Sequence, residues 1–125
     1  MLVWDQSAGE LSLDGTFKSK GYSGRNRGKN NPAMQNAVGI GPIPQGLWNI
    51  VAVENRPDDL GPVCIKLEPA KGTNTFGRSG FYAHGDSIKN PGTASHGCII
   101  LPRAIRDWIV RMWKAGTITQ IRVVE

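Results

Sequence analysis

Strand-like alternation occupies both ends of the chain, and a helical period appears once between them. Leu2 and Trp4 alternate, as do Leu11 and Leu13, and Asp14-Gly15 is a dipeptide suited to a tight hairpin turn. Thr16 to Tyr22 is expected to return as a third strand, making a β-meander. Gly24 to Pro32 is polar and basic without periodicity, which predicts a loop ending in a short helical turn around Ala33 to Asn36. Gly39 to Gly46, rich in Gly and Pro, is rigid turn chemistry, and strands follow at Leu47 to Val53 and Val63 to Leu67.

The helical period runs through Ile105, Trp108, Ile109, Met112 and Trp113, spaced i, i+3, i+4, i+7 and i+8. Pro102 suits its first turn and Gly116 its C-terminal cap, so the spacing predicts a helix over about 103–115. Arg103, Arg106, Asp107, Arg111 and Lys114 are assigned to its solvated side, and the two tryptophans to the sheet. Thr117 to Val124 is β-branched and closes the chain as a strand. The pattern describes a mainly β single domain, residues 1–125, with one substantial helix.

Size and composition agree. A chain of 125 residues suits one domain, and 16 Gly with 8 Pro in separated turns favour a turn-rich β protein. No window approaches the roughly 18 apolar residues of a membrane span, and the first residues lack the basic start and apolar core of a signal peptide. Two cysteines exclude a disulfide scaffold. The net charge of +5 points to an anionic partner. Nucleic acid is disfavoured, because aromatic residues are only 7% and no dense basic block interleaves with them.

Both histidines and Cys98 fall close together, in Phe81-Tyr82-Ala83-His84-Gly85-Asp86 and Ser95-His96-Gly97-Cys98-Ile99. A cysteine attacks as the thiolate and needs a base, and a preceding glycine lets backbone amides approach a substrate carbonyl as an oxyanion hole. Alternation puts Phe81 and Ala83 on the core face and Tyr82 and His84 on the other, making His84 the better base. His96 lies only two residues from Cys98 and is assigned to shaping the loop. Ordinary loop residues are the plain alternative. A zinc site of His84, His96, Cys98 and Asp86 is the chemical rival, but no C-x-x-C or H-x-x-x-H pair anchors it, and no metal is expected. Cys64 is read as a small half-buried residue beside Lys66, with Val63, Ile65 and Leu67 facing the core.

These residues, with the stretches Gly21 to Pro32, Gly39 to Pro44, Gly77 to Asp86 and Pro91 to Pro102, resemble the L,D-transpeptidase catalytic domain, the YkuD-like family. The similarity is greater to its small branch of type VI secretion effectors with L,D-carboxypeptidase and transpeptidase activity. The resemblance implies a β-sandwich or barrel with the helix packed on the sheet. It implies Cys98 as nucleophile, His84 as general base, and the Gly85 carbonyl as the group that orients the imidazole. Gly97 and Cys98 would supply oxyanion-hole amides, Ser95 and His96 would hold the loop, and Arg78 would contact a substrate carboxylate. Tyr82 and Asp86 join Arg78 as candidate substrate contacts, and Arg25, Arg27 and Lys29 as basic residues facing an acidic peptide.

The activity so implied is acyl transfer on the peptidoglycan stem peptide without a cofactor. Loss of terminal D-Ala from tetrapeptides is expected, with exchange or cross-linking alongside. Two departures stand out: the His84-to-Ser95 loop is short, and Ile100 stands where the large enzymes carry Arg or Asn. The expected setting is synthesis in the cytoplasm as a monomer without a signal peptide, action in the periplasm of a target bacterium, and an immunity protein and secretion apparatus as partners. A phage lysis protein and a non-catalytic wall-binding module are the alternatives.

Overall fold

The computed structural model describes residues 1–56 and 59–125. The chain forms β1 (Leu2–Asp5), β2 (Glu10–Leu13), β3 (Thr16–Lys20), β4 (Tyr22–Ser23), β5 (Gly46–Arg56), β6 (Gly61–Pro69), β7 (Phe81–His84), β8 (Ile99–Ile100), α1 (Arg103–Lys114) and β9 (Gln120–Val124). Short 3-10 turns cover Asn26–Gly28 and Pro32–Met34. The strands make one nine-stranded sheet in the order β3-β2-β1-β9-β5-β6-β7-β8-β4.

That order explains the shape. β3 and β4 are the two ends of the sheet, yet only Gly21 separates them in the chain. The sheet must therefore curl until its edges meet, which is the barrel-like form expected. The expected single strand Thr16 to Tyr22 is broken there for a steric reason. A Cβ on Gly21 would stand 2.2 Å from the Ile100 carbonyl oxygen, so the chain crosses close to β8 only as glycine. Beyond it, Tyr22 and Ser23 pair with Ile100 and Ile99.

The core gathers the predicted alternating residues: Leu2, Trp4, Leu11, Ile65, Leu67, Ile121 and Val123 are buried together with Ile43, Trp48, Phe81 and Ile99. Trp48 meets Phe81 edge-on, with ring centroids 4.9 Å apart. On α1 the deepest apolar residue is Ile109, and the tryptophans are half-buried against the same cluster. Each large apolar side chain so covered contributes roughly 1.5–3 kcal/mol.

Several features differ from expectation. Thr117 and Ile118 both donate to the Met112 carbonyl, wrapping the helix end, so β9 starts only at Gln120. Val63 adopts φ +58° and the β5–β6 register shifts between Glu54 and Arg56, which disturbs the alternation near Cys64. Cys64 is consequently fully buried, under Tyr82 and Leu60, rather than half-buried. Arg106 is also buried, not solvated as its place among the helix charges suggested.

Candidate active site

β7 and β8 run parallel, with Ala83 opposite Ile99 and His84 opposite Ile100. Ala83 and Ile99 enter the core, which leaves Tyr82, His84 and Cys98 on the other face. Cys98 immediately precedes β8 at the level of Tyr82, so His84 lies one two-residue step, about 7 Å, further along. Cys98 Sγ accepts a hydrogen bond from Tyr82 N–H at 3.3 Å and faces the Gly80 carbonyl at 3.7 Å. Neither of these contacts is to His84. The thiol packs with Cys64 and Tyr82, and burial pushes its pKa up to about 11 although Tyr82 N–H, Arg56 and Arg78 oppose the shift.

His84 is 2% exposed, and its Nδ1 lies 2.8 Å from the Gly85 carbonyl. A carbonyl can only accept, so Nδ1 carries the proton and Nε2 keeps its lone pair. Burial holds the imidazole below its usual pKa, and Arg106 pushes the same way. The Gly85 bond and the charges of Asp59 and Asp86 oppose both. Thiol and imidazole are thus both neutral near pH 7.

The loop before Cys98 is held from within. Ser95 is fully buried, and its Oγ accepts from the N–H groups of Gly24 at 2.8 Å and Gly97 at 3.1 Å while donating to the Cys98 carbonyl. These bonds tie Ser95 to both ends of the loop, and they take up one of the two amides assigned to an oxyanion hole. The Gly97 amide is engaged by Ser95, whereas the Cys98 N–H has no hydrogen-bond partner among the described residues. Gly97 itself has φ +138°, and a Cβ there would stand 2.5 Å from Arg78 Nη2.

Arg78 is corrected too. It is 8% exposed, and its Nη1 and Nη2 donate to the carbonyls of Gln35, Pro42, Gly41 and His96. The guanidinium also lies over the Phe81 ring, 5.2 Å from its centroid. Arg78 therefore ties the 35–42 turns to the loop before Cys98, and its Nη donors are spent on backbone rather than offered to a carboxylate. Tyr82 lies beneath the thiol with its hydroxyl between Arg56 Nη1 at 2.9 Å and Glu54 Oε1 at 3.1 Å. Asp86 accepts from Tyr22 OH and from the N–H groups of Ser87 and Gly92, which folds the loop after β7. His96 is exposed, its Nδ1 3.2 Å from the Gly39 carbonyl and its Nε2 3.4 Å from Arg25 Nη1. Lys29 lies over the Tyr22 ring at 4.5 Å.

Two cavities meet at His96. One, of about 320 Å³, is lined by Cys98, Gly97, Arg78 and Phe81. The other, of about 1180 Å³, is lined by His84, Gly85, Asp86, Arg106 and the 87–94 loop. Among the described residues no three of His, Cys, Asp and Glu gather as metal ligands.

The Tlde1 domain model, a type VI secretion L,D-transpeptidase effector family, matches residues 17–124. The chain belongs to that family. An L,D-transpeptidase from Mycobacterium smegmatis has a similar structure, with a TM-score of 0.51 at 21% identity. The similarity covers 99% of this Tlde1-domain chain but 58% of that one, so it establishes the fold. No curated protein sequence matches the chain.

Sequence reasoning missed Arg106, whose guanidinium lies against Gly85. The signal was available: it falls three residues before Ile109 and seven before Trp113, beside the apolar stripe.

Proposed function

We propose that this Tlde1 domain is a cysteine-dependent L,D-carboxypeptidase of peptidoglycan stem peptides with accompanying transpeptidase exchange. The observation that carries the reading is the pairing across β7 and β8. It sets a neutral imidazole, with Nδ1 fixed on Gly85 and Nε2 without a partner among the described residues, on the face that carries the Cys98 thiol. In the proposed reaction Cys98 Sγ attacks the carbonyl of the third stem residue, meso-diaminopimelate, as its proton passes to His84 Nε2. The Cys98 N–H faces the developing oxyanion. The C–N bond to D-Ala then breaks, its electron pair going to nitrogen, which takes the proton from His84. A thioester remains on Cys98. Water resolves it to the tripeptide, and an amine resolves it to an exchanged or cross-linked product.

Burial favours this order of events. A thiol with a pKa near 11, on the same face as an imidazole of lowered pKa but not in contact with it, keeps the proton on sulfur until substrate arrives. The short loop between His84 and Ser95, with buried Ile100 below it, offers few polar groups to a second peptide, so hydrolysis outweighs cross-linking. The net charge of +5 suits a substrate rich in carboxylates. The setting in keeping with the family is delivery to the periplasm of a target bacterium, with an immunity protein guarding the producer.

Purified disaccharide tetrapeptides test the reading by mass spectrometry of the products. Conversion to tripeptides by the native protein is expected, with none by Cys98→Ala and a loss of about 10³-fold for His84→Ala. Cleavage of glycan bonds or of the sugar–peptide amide, with tetrapeptide ends intact, would contradict it.

A further inference from the structure

Arg106 is 7% exposed and has no carboxylate partner among the described residues. Its Nε donates to the Leu101 carbonyl at 3.0 Å, and its Nη1 to the carbonyls of Pro62 at 2.8 Å and Val63 at 3.1 Å. These bonds join the start of α1 to the stretch of β6 where Val63 takes its positive φ. The remaining nitrogen, Nη2, lies against Gly85, where a Cβ would come within 2.7 Å of it and within 3.2 Å of Cζ. Gly85 has no positive φ, so a side chain there would meet no backbone strain but would have to displace the guanidinium from its carbonyls. Its carbonyl is the one that holds His84 Nδ1, and Leu101 N–H in turn donates to the His84 carbonyl at 3.0 Å. Arg106 thus touches the segments on both sides of the imidazole.

We propose that Arg106 is the positioning residue of the base: it clamps Gly85 and the β6 bulge to the start of α1 so that His84 keeps Nδ1 on the Gly85 carbonyl and presents Nε2 to the nucleophile's face. The inference rests on the reading of His84 as general base. A second consequence is electrostatic. The charged and titratable groups facing His84 are Arg106 from α1, Asp59 before β6 and Asp86 after β7, with Lys89 and His96 lining the same cleft. Among the groups acting on His84, Arg106 joins burial in favouring the neutral imidazole, whereas Asp59 and Asp86 act against it. Only the neutral form can accept the thiol proton.

Steady-state kinetics on disaccharide tetrapeptide across pH, together with NMR titration of labelled histidine, test the proposal. The chain has two histidines, so His96→Gln assigns the His84 signal. Arg106→Met should lower kcat by about 10²-fold, as expected for a misplaced catalytic group, and leave KM little changed. It should also move the acid limb of kcat/KM, and the His84 titration, to higher pH. Arg106→Lys should restore the acid limb while recovering kcat only in part, because one ammonium cannot span carbonyls on two segments. Gly85→Ala should reproduce the kcat loss with the charge retained, and Arg103→Met, at an exposed site one turn earlier, should behave as native. A native kcat in Arg106→Met, or a loss of activity with the acid limb and titration unmoved, would overturn the proposal. Should the Met variant not fold, native kcat in Arg106→Lys or Gly85→Ala would overturn it equally. Activity surviving in His84→Ala would instead remove the parent reading, and the titration would still report whether Arg106 acts on the imidazole.

Discussion

The Cys98 side and the His84 side of the candidate site are built on the same device with different strictness. Each presses a glycine against Nη2 of a buried arginine, Gly97 on Arg78 and Gly85 on Arg106. Each arginine also donates to backbone carbonyls from separate segments. Gly97, however, is constrained twice, by contact and by φ +138°, whereas Gly85 is constrained by contact alone. The charges also act differently. Arg78 favours the thiolate of Cys98, although burial outweighs it, and Arg106 disfavours the imidazolium of His84 in concert with burial. The comparison teaches that a rigid frame, rather than a preformed ion pair, prepares the site. A thiolate–imidazolium pair would need a depressed cysteine pKa, and here the thiol is pushed the other way.

Substituting the two glycines by alanine probes this asymmetry most strongly. Gly97→Ala should lose activity by about 10³-fold and fall in stability by roughly 2 kcal/mol or more, since strain adds to the clash. Gly85→Ala should lose about tenfold less activity, with the chain still folded. Equal effects in kinetics and thermal melts would erase the distinction between them.

Removing the arginines should affect stability next. Arg78→Met leaves carbonyls of Gln35, Gly41, Pro42 and His96 without their donor, and should cost about 3 kcal/mol in denaturant unfolding. A rise in KM at unchanged stability would return Arg78 to substrate binding. Alkylation gives a further reading. Iodoacetamide should label Cys98 in preference to the fully buried Cys64, and the rate should keep climbing with pH towards about 11. A rate already level at pH 7 would mean a preformed thiolate.

The smallest expected effect is on stability in acid. His84 binds its proton less readily when folded than at the ordinary 6.5, so the unfolded chain gains protons first as pH falls. Stability should decline below about pH 6.5 until the folded group protonates, and His84→Gln should remove that part of the slope. An unchanged slope would show that His84 is not buried as a neutral base.

Much of this was legible in the chain. The alternations through Leu2, Trp4, Leu11 and Ile121 gave the strands, and the stripe from Ile105 to Trp113 gave α1, because each follows from one local period. The resemblance pointed to Cys98, His84 and Gly85, and the fold places His84 against the Gly85 carbonyl and one strand away from Cys98. What escaped depends on contacts distant in sequence. Gly21 breaks a strand because Ile100 passes beside it, and Arg106 is buried because carbonyls of Pro62 and Val63 await it. Arg78 read as a contact for a substrate carboxylate because nothing near it in sequence reveals the carbonyls of Gln35 and Gly41.

The central claim is that Cys98 carries the acyl group, and trapping that thioester tests it most directly. Native protein mixed with disaccharide tetrapeptide and quenched in acid should show, by intact-mass and peptide-mapping mass spectrometry, a disaccharide-tripeptide acyl adduct on the Cys98 peptide as D-Ala appears. Release of D-Ala with no adduct, or with an adduct on a residue other than Cys98, would contradict the account.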